Sequence, residues 1–346
     1  MNFTDKIKAF AQLGKILSHF TDEKEWPGFE IGVTKEEFDN YNELINRVRV
    51  FNGWFEPYFV RESIKGLTNM LNENSLNKWT SNYNIKEQQK TVAIIMAGNI
   101  PMVGFHDLLC VLISGNKAMV KMSSDDDKLL PATLSFLFEI APDLKEQITF
   151  VQKMENFDAV IATGSNNSAR YFETYFGKYP NIIRKNRTSV AVLTGEETEE
   201  ELELLGKDIT QYFGLGCRNV SKILVPNGYD MNKVIAGIFP YKHIMDNKKF
   251  GNNYDYNKAV FLMGKEELIE NGFMLFRESE ELFCPISCLY FQGFNNENEI
   301  EKYVEENKDQ IQCVVSKKHI PFGKAQQPEL WDYADGVDTM GFLVGL

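Results

Sequence analysis

At 346 residues, 43% hydrophobic and 13% aromatic, the chain is long enough to bury a large core and to divide into about two or three domains. Its formal net charge of −12 leaves no basic stripe to neutralise a phosphate backbone, which argues against a nucleic-acid partner. The cysteines at 110, 217, 284, 288 and 313 form neither CxxC pairs nor a disulfide framework, no HExxH accompanies the few histidines, and no apolar run approaches the ~20 residues needed to cross a bilayer; the expectation is a cytoplasmic protein with no metal site and no membrane span.

Residues 1–90 place apolar side chains at helical spacing, as in Ile7, Phe10, Leu13, Ile16 and Leu17, and predict amphipathic helices pinned by aromatics such as Phe51 and Trp79. The polar stretch 72–84 reads as a loop or lead-in. At Thr91 the pattern changes. Val92–Ala97 is a β-prone run ended by Gly98-Asn99-Ile100-Pro101, a helix follows over 105–113, and Ala118–Lys121 is a second strand. A helix over 131–140, strands at 148–152 and 159–162, and the turn Thr163-Gly164-Ser165 before a helix over 167–176 repeat the unit. Three strands then carry Asn99, Lys121 and Ser165 at their carboxyl ends, where open α/β sheets bind ligands, so this region reads as a Rossmann-type half-domain. Each residue also has a plain local reading, as a turn asparagine, a solvated lysine and a helix cap.

A strand at 188–193 and an acidic helix over 196–213 lead to Tyr212-Phe213-Gly214-Leu215-Gly216-Cys217-Arg218-Asn219, followed by the apolar strand Ile223–Val225. On local grounds Cys217 is either a small buried thiol or a nucleophile held at the mouth of that strand, with the glycines removing Cβ atoms on its approach side. Beyond it the pattern predicts strands near 259–263, 272–277 and 286–291, a helix over 297–307, a strand over 312–315 and an irregular tail.

Taken in order, Gly98-Asn99-Ile100-Pro101, Ser114–Lys121, Thr163-Gly164-Ser165, Gly216-Cys217 with Ser221–Val225, and Glu280–Pro285 resemble the corresponding segments of the aldehyde dehydrogenase superfamily. Within it, the short length, Asn186–Leu193 and the Tyr333–Thr339 tail resemble the acyl-CoA reductases related to the fatty acid reductase subunit of bacterial bioluminescence. The resemblance implies an α/β fold with a helical region at 1–90, a Rossmann-type cofactor domain at 91–190, a catalytic domain at 191–318 that carries the cysteine, and a tail at 319–346 returning across the junction. It implies Cys217 as nucleophile and Asn99 as oxyanion donor. Lys121, Ser124, Gly164, Ser165, Glu281 and Phe283 become cofactor contacts.

One departure bears on chemistry: where hydrolytic relatives carry a glutamate that activates water, Ile183-Arg184-Lys185-Asn186 has no carboxylate. An acyl-enzyme without that base exchanges with a thiol more readily than with water. The resemblance therefore implies reduction of acyl-CoA to a fatty aldehyde and coenzyme A. NADPH is the expected cofactor, because Ser124 stands where NAD-selective relatives often have a glutamate; Asp125, Asp126 and Asp127 favour NADH if they face the site. The alternatives are an aldehyde dehydrogenase releasing free acid and a non-turnover acyl-binding subunit. An acyl-activating synthetase is a candidate partner, and family habit implies a homo-oligomer.

Overall fold

The N-terminal periodicity resolves into helices α1 (Phe3–Leu17), α2 (Lys35–Arg47), α3 (Pro57–Met70) and α4 (Glu73–Thr80). The computed structural model describes residues 1–86 and 89–346. On α1, Ile7, Phe10, Leu13 and Leu17 share the buried face predicted by their spacing. Thr34 and Glu37 cap the start of α2 reciprocally. Phe51, expected as a pin, is instead 61% exposed, whereas Trp79 is fully buried.

The expected loop at 72–84 contains α4. Its sequence is polar because only Leu76, Trp79 and Thr80, one face of a short helix, are buried; Asn72 caps it by accepting from the Asn74 N–H.

The chain continues through β1 (Thr91–Ile95), α5 (Phe105–Ile113), β2 (Lys117–Lys121), α6 (Leu129–Ile140), β3 (Ile148–Phe150), β4 (Ala159–Thr163), α7 (Asn166–Phe176) and β5 (Asn181–Arg184). These strands form a parallel sheet in the order β3-β2-β1-β4-β5. Val92 and Ile94 of β1 join one large core with α1–α6, while Ala93, Val160 and Ala162 face Phe172 and Phe176 of α7. Burial on both faces explains why β1 and β4 are apolar throughout.

Strand β5 falls where the sequence pattern suggests no element of its own. Its inward residues are Ile182 and Arg184, and a buried arginine disguises the alternation. Arg184 is accommodated by Asp107, whose Oδ2 lies 2.5 Å from its Nη1, and by Thr339 Oγ1 at 3.0 Å.

Cα packing divides the chain into two units, one of Met1–Lys185 with Glu329–Leu346 and one of Asn186–Pro328. In the first, the N-terminal helices share a single core with the sheet, and the terminal segment ends in a helix. Tyr333 OH accepts from Trp79 Nε1 at 2.6 Å, and Asn116 Nδ2 donates to Leu343 O at 3.2 Å. The tail expected as one piece from 319 is thus divided after Pro328.

The second unit comprises β6 (Thr188–Val192), α8 (Glu199–Thr210), β7 (Val220–Pro226), α9 (Asn232–Ile238), α10 (Lys248–Met263), β8 (Ile269–Glu270), β9 (Leu275–Glu278), β10 (Cys288–Phe294), α11 (Glu297–Glu306) and β11 (Ile311–Val315). Its sheet runs β11-β6-β7-β10-β9-β8, parallel except for the β8–β9 pair. The strand expected near 259–263 is the end of α10. Its apolar run mimics a strand because Val260, Leu262 and Met263 are exposed apolar residues that obscure the helical period. Among the described residues, no helix is long and apolar enough to cross a membrane.

Candidate functional site

In the first unit, the expected cofactor residues gather at one edge of the sheet. Ile95 pairs with Lys121 on one side and with Ala162 on the other, so β1, β2 and β4 end at the same level. Asn99, Lys121, Ser124 and Ser165 are exposed there and Gly164 is half-buried. The loops after β1 and β2 touch, since a Cβ on Gly98 would lie 2.5 Å from Ser123 Oγ. Ser165 caps α7, accepting from the Ser168 N–H at 3.3 Å, and Gly164 fits because a Cβ would come within 2.8 Å of Ser168. An exposed lysine, hydroxyls and a helix N-terminus at the carboxyl edge of a parallel sheet form a donor set suited to a dinucleotide.

Of the three aspartates, Asp126 turns inward, where its Oδ2 accepts from the Met102 N–H at 2.6 Å; Asp125 and Asp127 remain exposed. Burial raises the Asp126 carboxyl to about 7.

In the second unit, Cys217 occupies the turn between α8 and β7, half-buried. The turn is held by a residue to which the sequence analysis gives no role. Asn219, 2% exposed, accepts from the Gly216 N–H at 2.8 Å and directs Nδ2 at the carbonyls of Asp208 (3.0 Å), Ile209 (3.4 Å) and Gln211 (2.8 Å). Ser189 Oγ donates to the Cys217 carbonyl at 3.0 Å. The approach is strained: Tyr212 and Phe213 have φ of 53° and 58°, ahead of Gly214 at 76°. Gly216 is buried, and a Cβ there would meet Asn219 Oδ1 at 3.0 Å. Its absent side chain makes room for the asparagine clamp, a role different from the open approach expected for both glycines. A polar residue immediately ahead of a buried strand was the available signal.

Gly216 and Phe283 line a recess of about 170 Å³ within this unit, together with Asn186, Arg187 and Ser221. No carboxylate or imidazole is among the described residues that line it. The Arg187 guanidinium donates to the main-chain carbonyls of Lys308 and Ile311 at 3.1 and 3.2 Å. Glu281 is exposed, 4.0 Å from Arg277, and Phe283 is half-buried.

Cys284 and Cys288 also line the recess. Cys284 Sγ donates to Cys288 O at 2.9 Å, and burial pushes its thiol up to about 12. Burial likewise raises the Cys288 thiol, and that of Cys110 in the first unit, well above the ordinary range. Such thiols carry little thiolate, the nucleophilic form.

A parallel cofactor-type sheet, a second α/β sheet and cysteines in the latter are the parts of an aldehyde-dehydrogenase-like fold, and solved structures bear this out. Glyceraldehyde-3-phosphate dehydrogenase GapN from Methanocaldococcus jannaschii, complexed with NADP, is similar over 91% of this chain and 76% of that one, with a TM-score of 0.62 at 11% identity. An acetylating aldehyde dehydrogenase from Geobacillus thermoglucosidasius is similar over 94% and 78%, with a TM-score of 0.55 at 13% identity. The acyl-CoA reductase (LuxC) family model matches residues 36–234, more than half of the sequence, and the chain belongs to that family. The long-chain acyl-protein thioester reductase of Photorhabdus laumondii is 22% identical over 247 residues, 62% of this chain and 51% of the relative. The chain spans about half the length of the curated relatives it matches.

Proposed function

We propose that the chain is an NADPH-dependent acyl-thioester reductase that converts acyl-CoA to aldehyde and free coenzyme A through a thioester on Cys217. One observation carries the choice of a reductase over an acid-releasing dehydrogenase: the recess lined by Gly216, the neighbour of Cys217 in sequence, includes Asn186 and Arg187 and no carboxylate or imidazole among its described lining residues. Neither side chain accepts a proton from water at neutral pH.

In this reading the Cys217 thiolate attacks the thioester carbonyl, a carbon–sulfur bond forms, and the coenzyme A thiolate leaves. NADPH, when bound, supplies the hydride that reduces the acyl carbonyl. The resulting thiohemiacetal collapses, breaking the bond to Cys217 and returning its thiolate as the aldehyde departs. Asn99 and the Cys217 N–H are assigned the oxyanion, where one donor contributes about 3 kcal/mol. Lys121, Ser124, Gly164 and Ser165 are assigned the adenosine end of the cofactor, Glu281 and Phe283 the nicotinamide ribose. Ser124 is a small uncharged residue compatible with a 2′-phosphate, and the inward turn of Asp126 removes one of three carboxylates that would repel it. The relatives' name speaks of acyl-protein thioesters; an acylated protein would enter the same chemistry, with its thiol as leaving group.

The test is acyl-CoA-dependent NADPH oxidation by the purified chain, with thioester trapping by mass spectrometry. Cys217→Ala should abolish both acylation and aldehyde formation, while Cys284→Ala and Cys288→Ala retain them. Acylation that survives Cys217→Ala and disappears in Cys288→Ala would move the nucleophile to β10 and overturn the assignment. Aldehyde oxidation to free acid without coenzyme A would favour the dehydrogenase, and stoichiometric acylation without hydride transfer the non-turnover subunit.

A further inference from the structure

Immediately after the Cys217 turn, β7 begins with two side chains that leave their own strand to hold a distant main-chain segment. Ser221 Oγ accepts from Thr188 Oγ1 at 2.7 Å and donates to Leu282 O at 2.9 Å. Lys222 Nζ donates to Glu280 O at 2.9 Å and to Gln292 Oε1 of β10 at 2.6 Å, and lies 4.8 Å from the centre of the Tyr303 ring. The bonds to Glu280 and Leu282 grip two carbonyls of the segment whose side chains include Glu281 and Phe283.

Lys222 is fully buried and is followed in sequence by Ile223 and Leu224, which are equally buried. Burying an ammonium in such a strand is unfavourable unless its donors are used. Here they are used on a carbonyl, an amide and an aromatic face, with burial drawing the lysine down to about 8 against the opposing attraction of Glu280 and Glu281. The segment it holds has no regular ladder of its own between β9 and β10. Its carbonyls therefore depend on side chains for their position.

We propose that Ser221 and Lys222 are positioning residues that fix the Glu280–Phe283 backbone relative to the Cys217 turn, setting where Glu281 and Phe283 meet the nicotinamide end of the cofactor. The proposal rests on the assignment of Glu281 and Phe283 made above. It places nucleophile and cofactor contacts on one mechanical unit: the strand that leaves the cysteine also grips the ribose segment. Loss of the grip should affect cofactor engagement and hydride transfer before it affects acylation of the cysteine.

The experiment uses the full chain and separates the two half-reactions: thioester formation on Cys217 from acyl-CoA alone, and reduction as a function of NADPH concentration. Lys222→Met should raise the KM for NADPH about tenfold or more while leaving the acylation rate within about twofold, as expected for loss of a charged donor to that segment alone. Ser221→Ala, which deletes one hydroxyl, should move the same parameters in the same direction by less, and it decides the matter alone if Lys222→Met does not fold. Equal losses in acylation and reduction would reduce both residues to general supports and overturn the proposal; so would wild-type NADPH kinetics in both variants. Glu281→Gln is the separate control: unchanged NADPH kinetics there would remove the ribose assignment, whereas an impaired Glu281→Gln beside unimpaired Ser221 and Lys222 variants removes the grip and keeps the assignment.

Discussion

Asn219→Ala should disable the Cys217 turn while barely destabilising the protein. The side chain accepts one main-chain N–H and shares its amide among three carbonyls, at 2.8 to 3.4 Å. An amide has two donor hydrogens, so these contacts amount to roughly three net bonds, or roughly 3 kcal/mol at about 1 kcal/mol each. Against this stands the left-handed backbone at Tyr212 and Phe213, at about 1–2 kcal/mol per residue. The two sums nearly cancel. Removing the clamp therefore lets the loop relax out of its strained form and recover most of what the lost bonds contributed. The expected result is a fall in unfolding free energy of no more than about 1–2 kcal/mol in urea, with acylation of Cys217 slowed about a hundredfold or more, since displacement of a reacting group by about 1 Å has that effect. Asn219→Asp keeps the acceptor for the Gly216 N–H but points a carboxylate at three carbonyls, and should be no better. Wild-type acylation in Asn219→Ala, or a full 3 kcal/mol loss with normal activity per folded molecule, would refute the strained-turn argument.

Two further outcomes follow from buried charge. Asp107→Asn should lower stability by about 3–5 kcal/mol in urea unfolding, because it leaves the buried Arg184 guanidinium without its counter-charge, and the double replacement Asp107→Leu with Arg184→Met should recover much of that loss. Asp126 is raised from 3.8 to about 7 in the folded chain, so the folded state binds more protons than the unfolded one between those values and stability falls as pH rises through that window. Asp126→Asn keeps an acceptor for the Met102 N–H and should gain on the wild type by up to roughly 4 kcal/mol between pH 4 and 8, read as the difference between two urea midpoint series; a pH-independent difference refutes the assignment.

Legibility in the sequence followed burial. β1 and β4 are covered on both faces, so each is an uninterrupted apolar run, and the turns after them carry Gly98 and Gly164, where close approach forbids a Cβ. Those features made one half of the candidate site legible at the level of residue types. What escaped were elements whose inward residues are polar or whose outward ones are apolar. β5 buries Arg184; α4 buries little beyond Leu76 and Trp79; α10 displays Val260, Leu262 and Met263 to solvent. The same blind spot hid Asn219, Ser221 and Lys222, since a polar residue beside a buried strand reads as its boundary unless its hydrogen-bond partners are known. Those partners lie as far as 70 positions away, between Lys222 and Gln292, a separation that no local pattern encodes.

The chemical distinction between the chain's thiols is likewise a property of packing. Cys284 and Cys288 line the recess that Gly216 also lines, and a reading from the recess alone would choose them. Both are desolvated, with Cys284 further engaged on a main-chain carbonyl, which raises the energy of the thiolate that any acyl transfer requires. Cys217 differs in standing on a turn whose geometry is imposed from outside, by Asn219 on its flank and Ser189 on its carbonyl. The recess lined by Gly216, its neighbour in sequence, includes Asn186 and Arg187, groups that do not take protons, and no carboxylate or imidazole among its described lining residues. In the proposed reaction a thioester on Cys217 would meet water without help from a base in that recess, while a returning thiolate or an incoming hydride needs no base at all. A recess without a base would make a poor hydrolase and would give the proposed reductase time to act.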